Sequence, residues 1–355
     1  MRRDVGGLAR AAIGIVISVA SLAYVLGGVD LSKTAAIVRT AIPAWLVVSV
    51  SLQGVDVLLR AARWQQLVAP IKWVRFRPML AYLLVGYLAN NILPARLGEL
   101  VRSHYLGDRE DISRASALGT VVVERVVDTA VVVTIGALAI FVLHIRGVVA
   151  SAVLVGLAVS GLLVVGLAVG VVAHRLPGAT RVIAFAERRP RVAELGRRLH
   201  DGLAVARHPR TLGATIGLSV CAWGASLLAV AAAGQSIGLE LSIGQAALLS
   251  SGVALATAIP SAPGYLGTFE LAFTTIGKAL GLPADEAFAL GFIVHVEILL
   301  LTSVGGAVAF LRLGWHRSVH EVGEVARGLV EGEDLIDGEA PGTPAEPAGV
   351  EIPPH

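Results

Sequence analysis

VVASAVLVGLAVSGLLVVGLAVGVVA, residues Val148–Ala173, runs for 26 residues without a charge. A helix needs about 20 apolar residues to cross the hydrocarbon core of a bilayer. This stretch is long enough, and it lacks the alternation of a membrane β-strand. The rest of the chain agrees. Of 355 residues, 55% are hydrophobic and 15% charged, with a mean hydropathy of +0.76. A soluble domain carries about 25% charged residues. The composition excludes a disordered chain and argues against a soluble enzyme. The forty glycines follow no G-X-Y period, which excludes collagen. The fold class is therefore an all-α polytopic membrane protein. The single cysteine, Cys221, leaves no disulfide framework or cysteine metal site.

Further full-length spans are expected at 8–27, 44–62, 118–143, 211–233 and 286–312. Met1-Arg2-Arg3 before the first one resembles the start of a signal peptide, but the run is longer than a signal core of about 7–15 residues. It reads as a retained span. Two apolar stretches, 79–93 and 245–259, are too short. Each has 15 residues, about 22 Å of helix against a core of about 30 Å. Each ends at a proline, Pro94 or Pro260, and a second amphipathic stretch follows.

Loop charges decide how these short stretches run. Residues 60–78 carry Arg60, Arg63, Lys72, Arg75 and Arg77 and no acid. Residues 174–210 carry nine arginines against Glu187, Glu194 and Asp201. Both loops should be cytoplasmic by the positive-inside rule. That requires 79–110 and 245–280 to be re-entrant hairpins of opposite orientation, giving six spans and two hairpins. The plainer count names the hairpin arms as spans and reaches eight. Both termini are expected in the cytoplasm, in the cytoplasmic (inner) membrane. Residues 1–315 form the membrane domain, and 316–355 an acidic, disordered tail. Residues 321–355 hold nine acids and one base, leaving 28 bases and 17 acids in the rest. Those bases flank spans, so anionic lipid is the expected partner rather than nucleic acid. Within 179–207, Val192, Leu195, Leu199 and Leu203 recur at helical spacing among arginines, as in a helix lying on the inner leaflet.

The two hairpins echo each other. AYLLVGYLANNILP (81–94) and ALLSSGVALATAIP (247–260) share Ala, Leu, Gly and Pro at an offset of 166 residues. Leu97-Gly98-Glu99-Leu100 follows the first proline, and Leu266-Gly267-Thr268-Phe269-Glu270-Leu271 the second. Opposed hairpins of this kind mark an inverted repeat whose broken helices meet at a midplane site. The alternative is a chance echo between two membrane turns. Helix breaks at depth expose backbone groups, which are tolerated only in protein or in a wet cavity.

Charges at membrane depth are candidate functional groups. Gln53, Asp56, Arg60 and Arg63 fall on one face of the second span. Their structural alternative is an Asp56–Arg60 pair with arginines, Arg63 above all, snorkelling at the boundary. Asn90, Asn91, Pro94, Arg96, Gly98, Glu99 and Arg102 surround the first hairpin tip. Arg96 can grip a phosphate bidentately, or can merely neutralise Glu99. Glu124, Arg125 and Asp128 lie within a span, where two acids on one face need a basic partner. Arg125 and Arg96 are the expected partners. Ser261, Pro263, Gly264, Tyr265, Gly267 and Glu270 form the second tip, with His295 and Glu297 on the last span as possible proton-linked groups. No catalytic set, metal site or cofactor motif is assigned.

Arg60-Ala-Ala-Arg63-Trp64, Asn91-Ile-Leu-Pro94-Ala-Arg96-Leu-Gly98-Glu99, Glu124-Arg125-Val-Val-Asp128 and Pro260-Ser-Ala-Pro263-Gly264-Tyr-Leu-Gly267-Thr-Phe-Glu270 resemble the flippase-like membrane domain of lysylphosphatidylglycerol synthases. The resemblance covers about residues 8–315, and stand-alone members of that family occur. It implies lipid translocation or the handling of lipid-linked intermediates. The aminoacyl-transferring members carry a separate soluble domain, which the 316–355 tail is too short to supply. Family members often have an arginine in the last span where this chain has His295.

The expected function is of lipid flippase type, acting on a phospholipid or lipid-linked intermediate, and not that of an enzyme. The headgroup site is expected at Arg60, Asn91, Arg96, Glu99, Arg102, Glu124, Arg125, Asp128 and Glu270. No G-x-x-x-x-G-K-[ST] motif is present, so the energy would come from an ion gradient or a downhill run. The competing readings are a membrane transferase on polyprenyl-linked sugars and a non-catalytic partner of an envelope-biosynthesis enzyme.

Overall fold

A computed structural model describes residues 5–93, 97–172, 203, 205–257 and 261–314. Pro94, Arg96, Pro260, the 316–355 tail and most of the 179–207 segment lie outside the described residues.

The described residues form eleven α-helices and no strand. They are α1 (Val5–Leu26), α2 (Leu31–Arg39), α3 (Pro43–Val68), α4 (Phe76–Ile92), α5 (Gly98–Glu110), α6 (Arg114–Leu143), α7 (Val148–Val172), α8 (Pro209–Ser236), α9 (Ile243–Ala256), α10 (Thr268–Ala279) and α11 (Ala284–Arg312). Five are long and apolar enough to cross a membrane: α3, α6, α7, α8 and α11. A sixth span arises if α1 and α2, bent by 86° at Gly27-Gly28, count as one. The chain is a polytopic membrane protein.

Local chemistry sets the helix ends. Pro43 and Pro209 open α3 and α8, where a missing N–H costs nothing. Ser242 and Gln245 close a capping box on α9. The α4 helix stops at Leu93, which is extended (φ −91°, ψ 142°) as a residue before proline must be.

The first short stretch folds as two antiparallel arms. Asn90 Oδ1 accepts from Gly98 N at 2.8 Å, Gly86 packs on Gly98 and Arg102, and Tyr82 donates to Glu110 Oε1 at 2.9 Å. Positions descending α4 thus meet positions ascending α5. A Cβ on Gly98 would lie 2.0 Å from the Gly86 carbonyl, so only glycine permits this approach. The second pair, α9 and α10, also closes at its echo glycine. There a Cβ on Gly252 would meet Ile276 Cδ1 at 2.1 Å.

The pairing of elements follows the sequence echo. Pro43 and Pro209 are 166 residues apart, and α4–α6 precede α9–α11 by 167 to 170. The broadest interface is α3 against α8. Across it each half lends its hairpin to the other: α4 packs on α11, and α9 packs on α6. Such reciprocal exchange is what a two-fold axis relating the halves produces. Lipid tails give helices no hydrophobic reason to associate, so close packing of small residues must do it. Thr215, Ser219, Ala222, Ala225, Ala229 and Ala232 supply that stripe on α8, all buried. Each hairpin builds an apolar core with the spans around it: Leu83, Val101, Tyr105 and Leu106 with Trp64 of α3 and Val121 of α6, and Leu248, Leu249, Phe273 and Ile276 with Val230 of α8 and Leu290 of α11. The end of the segment read as a surface helix differs from expectation. Val205 is buried against Leu67, Val123 and Val127, because its apolar face finds protein there.

Candidate functional site

The two hairpins converge. A Cβ on Gly264 would lie 3.8 Å from the Asn91 carbonyl, and Asn91 Nδ2 donates to Thr302 Oγ1 and Ser303 Oγ of α11 at 2.9 and 3.0 Å. Beside this meeting point lies a cavity of about 370 Å³, lined from α3, α4, α5, α6, α8, α9, α10 and α11. One wall is polar: Gln53, Asp56, Arg60, Asn90, Asn91, Glu99, Arg125 and Asp128. Apolar side chains of the same cavity include Val253, Leu255, Phe269, Phe273, Val294 and Leu299.

A charge network backs the polar wall. Arg60 Nε holds Asp56 at 2.8 Å, and its Nη1 reaches Asp128 at 3.2 Å. Arg63 donates from Nη1 to Asp128 and to Ser219 Oγ, and from Nη2 to Glu124 at 2.7 Å. Arg102 and Arg125 each pair with Glu124 at 2.9 Å. Trp223 Nε1 donates to Asp128 at 2.9 Å, while its ring lies 4.7 Å beneath the Arg60 guanidinium. Four guanidiniums therefore surround three carboxylates. Buried charges persist only when paired this way, and each carboxylate here has a cationic partner. Glu99, on the same wall, makes no side-chain hydrogen bond among the described residues, and it adds a third carboxylate to the cavity beside Asp56 and Asp128.

The sequence reading of this network needs correction in three places. Arg63 is completely buried and joins Asp128 to Glu124 rather than snorkelling at the boundary. Helical spacing put it on the right face, but a sequence does not reveal that α6 and α8 cover that face. The partners of Glu124 and Asp128 are Arg60, Arg63, Arg102 and Arg125, where only Arg125 was expected among the described residues. Arg102 and Glu124, expected in the headgroup site, lie behind the wall, 2% and 0% exposed, with Arg102 stacked over Trp64. Arg60, Asn91, Glu99, Arg125 and Asp128 do line the cavity.

At the second tip, Glu270 also sits behind the wall. Its Oε2 accepts from Gly267 N at 2.7 Å, and its Oε1 meets His295 Nδ1 at 2.5 Å. His295 Nε2 faces the Gly264 carbonyl at 2.7 Å, so that nitrogen must carry a hydrogen. Nδ1 and Oε1 can bond only through one further hydrogen. His295 stacks on Phe269 at 4.2 Å and lines the cavity. Gly264 and Gly267 have φ of +69° and +86°, and Pro263 opens the turn. A Cβ on Gly267 would strike Ser18 O of α1 at 2.3 Å. Glu297 is buried and bound to Ser49 and Gln53.

Sequence reasoning passed over Trp223, Ser219 and Ser49. Their helix, or their stretch of it, reads as plain apolar span. A tryptophan in mid-span, away from the interfacial belt, was the available signal.

Residues 11–306 match the family model described as lysylphosphatidylglycerol synthase TM region. The UPF0104 membrane protein MJ1595 of Methanocaldococcus jannaschii is 28% identical over 127 residues, covering 35% of this chain and 38% of the relative. Glycosyltransferase AglD of Haloferax volcanii is 25% identical over 353 residues, covering 84% of this chain and 54% of the relative. The matches thus span about half, or less, of the length of these curated relatives. No solved structure matches the chain.

Proposed function

Because the chain belongs to the family of the lysylphosphatidylglycerol synthase transmembrane region, we propose that it is a flippase-type protein that moves a phospholipid or lipid-linked intermediate across the cytoplasmic membrane. One observation carries this reading: a cavity beside the meeting point of the two hairpins is lined both by paired charges and by apolar side chains. Its volume of about 370 Å³ suits a headgroup, near the low end of small-molecule pockets at about 300–1,000 Å³. Arg60 and Arg125 offer charge-assisted hydrogen bonds to a phosphate. Glu99 offers its carboxylate to an ammonium or hydroxyl group. Arg96, beside the first tip in sequence, is a further candidate for the phosphate. The acyl chains remain in the bilayer. Both termini face the cytoplasm in this reading, and an envelope-biosynthesis enzyme is the natural protein partner.

The name of the Haloferax volcanii relative favours a second reading, a membrane transferase acting on lipid-linked sugars. One experiment separates the two. Purified protein in liposomes is assayed for transbilayer movement of a panel of labelled lipids, and in parallel for sugar transfer to a polyprenyl phosphate. Movement without transfer supports the flippase reading. Transfer without movement overturns it.

A further inference from the structure

Glu297 is the buried acid that the cavity network leaves unused. It is 8% exposed on α11, and its Oε2 lies 2.6 Å from both Ser49 Oγ and Gln53 Nε2 of α3. Its Oε1 is buried with no hydrogen-bond partner, and so is Oε1 of Gln53. Among the described residues it forms no ion pair. His295, two residues away, spends both ring nitrogens on Glu270 and Gly264. A carboxylate buried without a cation is costly, and protonation removes most of that cost.

The hydrogen bonds around Oε2 fit both states. Ser49 Oγ also lies 3.0 Å from the Ala229 carbonyl of α8, and a hydroxyl has one hydrogen to give. When Glu297 is ionised, Ser49 and Gln53 both donate to Oε2. When it is protonated, Oε2–H donates to Ser49 Oγ, and Ser49 turns its own hydrogen to Ala229 O. No heavy atom has to move. Gln53 lines the cavity, so the carboxyl lies one hydrogen bond behind the wall.

Other charges do not supplant it. Among the charged and titratable side chains of the packed elements, Asp56 and Arg60 of α3 pair with each other, Tyr87 of α4 lines the cavity, and Glu270 pairs with His295. The α8 helix contributes Trp223 and no charge beyond Arg210 at its start. Arg77 of α4, Lys33 and Arg39 of α2 and Lys278 of α10 are exposed.

We propose that Glu297 is a proton-binding site, reached from the cavity through Gln53, whose loading and release couple headgroup movement to a proton gradient. The coupling rests on the lipid-moving reading of the cavity; the proton site does not. A proton from one side neutralises the carboxylate, and its release to the other restores it.

The test uses the full-length protein in liposomes with a labelled phospholipid, with and without a proton gradient of about tenfold. The wild type should move lipid several-fold faster down the gradient. In Glu297→Gln the ratio of the two rates should fall to one, and Ser49→Ala, a smaller change, should weaken the response. Infrared spectroscopy of the same samples should show a carboxylic-acid C=O band that titrates in the wild type and is missing from Glu297→Gln. Lipid movement indifferent to the proton gradient, a full response in either variant, or an equal response to a sodium gradient at fixed pH would overturn the coupling. Absence of a titrating band would overturn the proton site. A titrating band in a protein that moves no lipid leaves the proton site standing and sinks the flippase reading instead.

Discussion

Arg63 is the residue on which the charge network turns. It is completely enclosed, and its two terminal nitrogens hold Asp128, Ser219 and Glu124, which lie on α6 and α8. Removing one member of a buried ion pair leaves the other uncompensated and costs about 3–5 kcal/mol. Arg63→Ala should therefore lower the thermal unfolding midpoint in detergent sharply. Arg125→Ala should lower it far less, since that side chain is 43% exposed and Glu124 keeps Arg63 and Arg102. Equal losses for the two variants would show that the network does not hold the helices together. The same comparison marks how far a sequence reveals the site. The spacing of Asp56, Arg60 and Arg63 put all three on one face, which is a local property of a helix. Which of them opens on the cavity and which is sealed behind it depends on α6 and α8 arriving from elsewhere in the chain.

At the scale of elements, the hairpins show which parts of the fold the sequence carried openly. A proline after 15 apolar residues, with too little length to cross, predicts a broken helix, and α4 ends at Ile92, two residues before Pro94. The long apolar runs predict α6, α7, α8 and α11 for the same reason. The right-angle bend between α1 and α2 was not read, although Gly27-Gly28 followed by the capping Asp30 spelled it locally. The echo glycines Gly86 and Gly252 both turned out to be the close-approach points of their hairpins, but the two hairpins do not need glycine equally. On Gly98 an added Cβ meets the Gly86 backbone carbonyl and the Asn90 side chain that caps α5. On Gly252 it meets only the far end of Ile276, which can turn aside. Gly98→Ala should reduce the folded yield severely, while Gly252→Ala should cost about 1–3 kcal/mol, the range for overpacking. Size-exclusion profiles and unfolding midpoints measure both. A well-folded Gly98→Ala protein would contradict the packing described for the first hairpin.

At the scale of the whole molecule, the reciprocal packing of α4 on α11 and α9 on α6 supports two opposed hairpins meeting at one cavity. The orientation this implies is open to labelling. With the exposed Cys221 replaced, cysteines at Pro70 and Arg210 should react with an impermeant thiol reagent only from the cytoplasmic side, and one at Arg146 only from outside. Labelling of positions 70 and 210 from opposite faces would remove the double-hairpin topology. The central claim, that the cavity between the hairpins is the path of a lipid headgroup, is tested most directly by one rate: transbilayer movement of a labelled phospholipid in liposomes by the wild type and by Arg60→Gln. Arg60 lines the cavity and keeps only part of its guanidinium for Asp56 and Asp128. A hydrogen bond to a charged group contributes about 1.5–3 kcal/mol, so its loss should slow movement by roughly tenfold or more in a protein that still folds. Movement at the wild-type rate by a folded Arg60→Gln protein would contradict the claim.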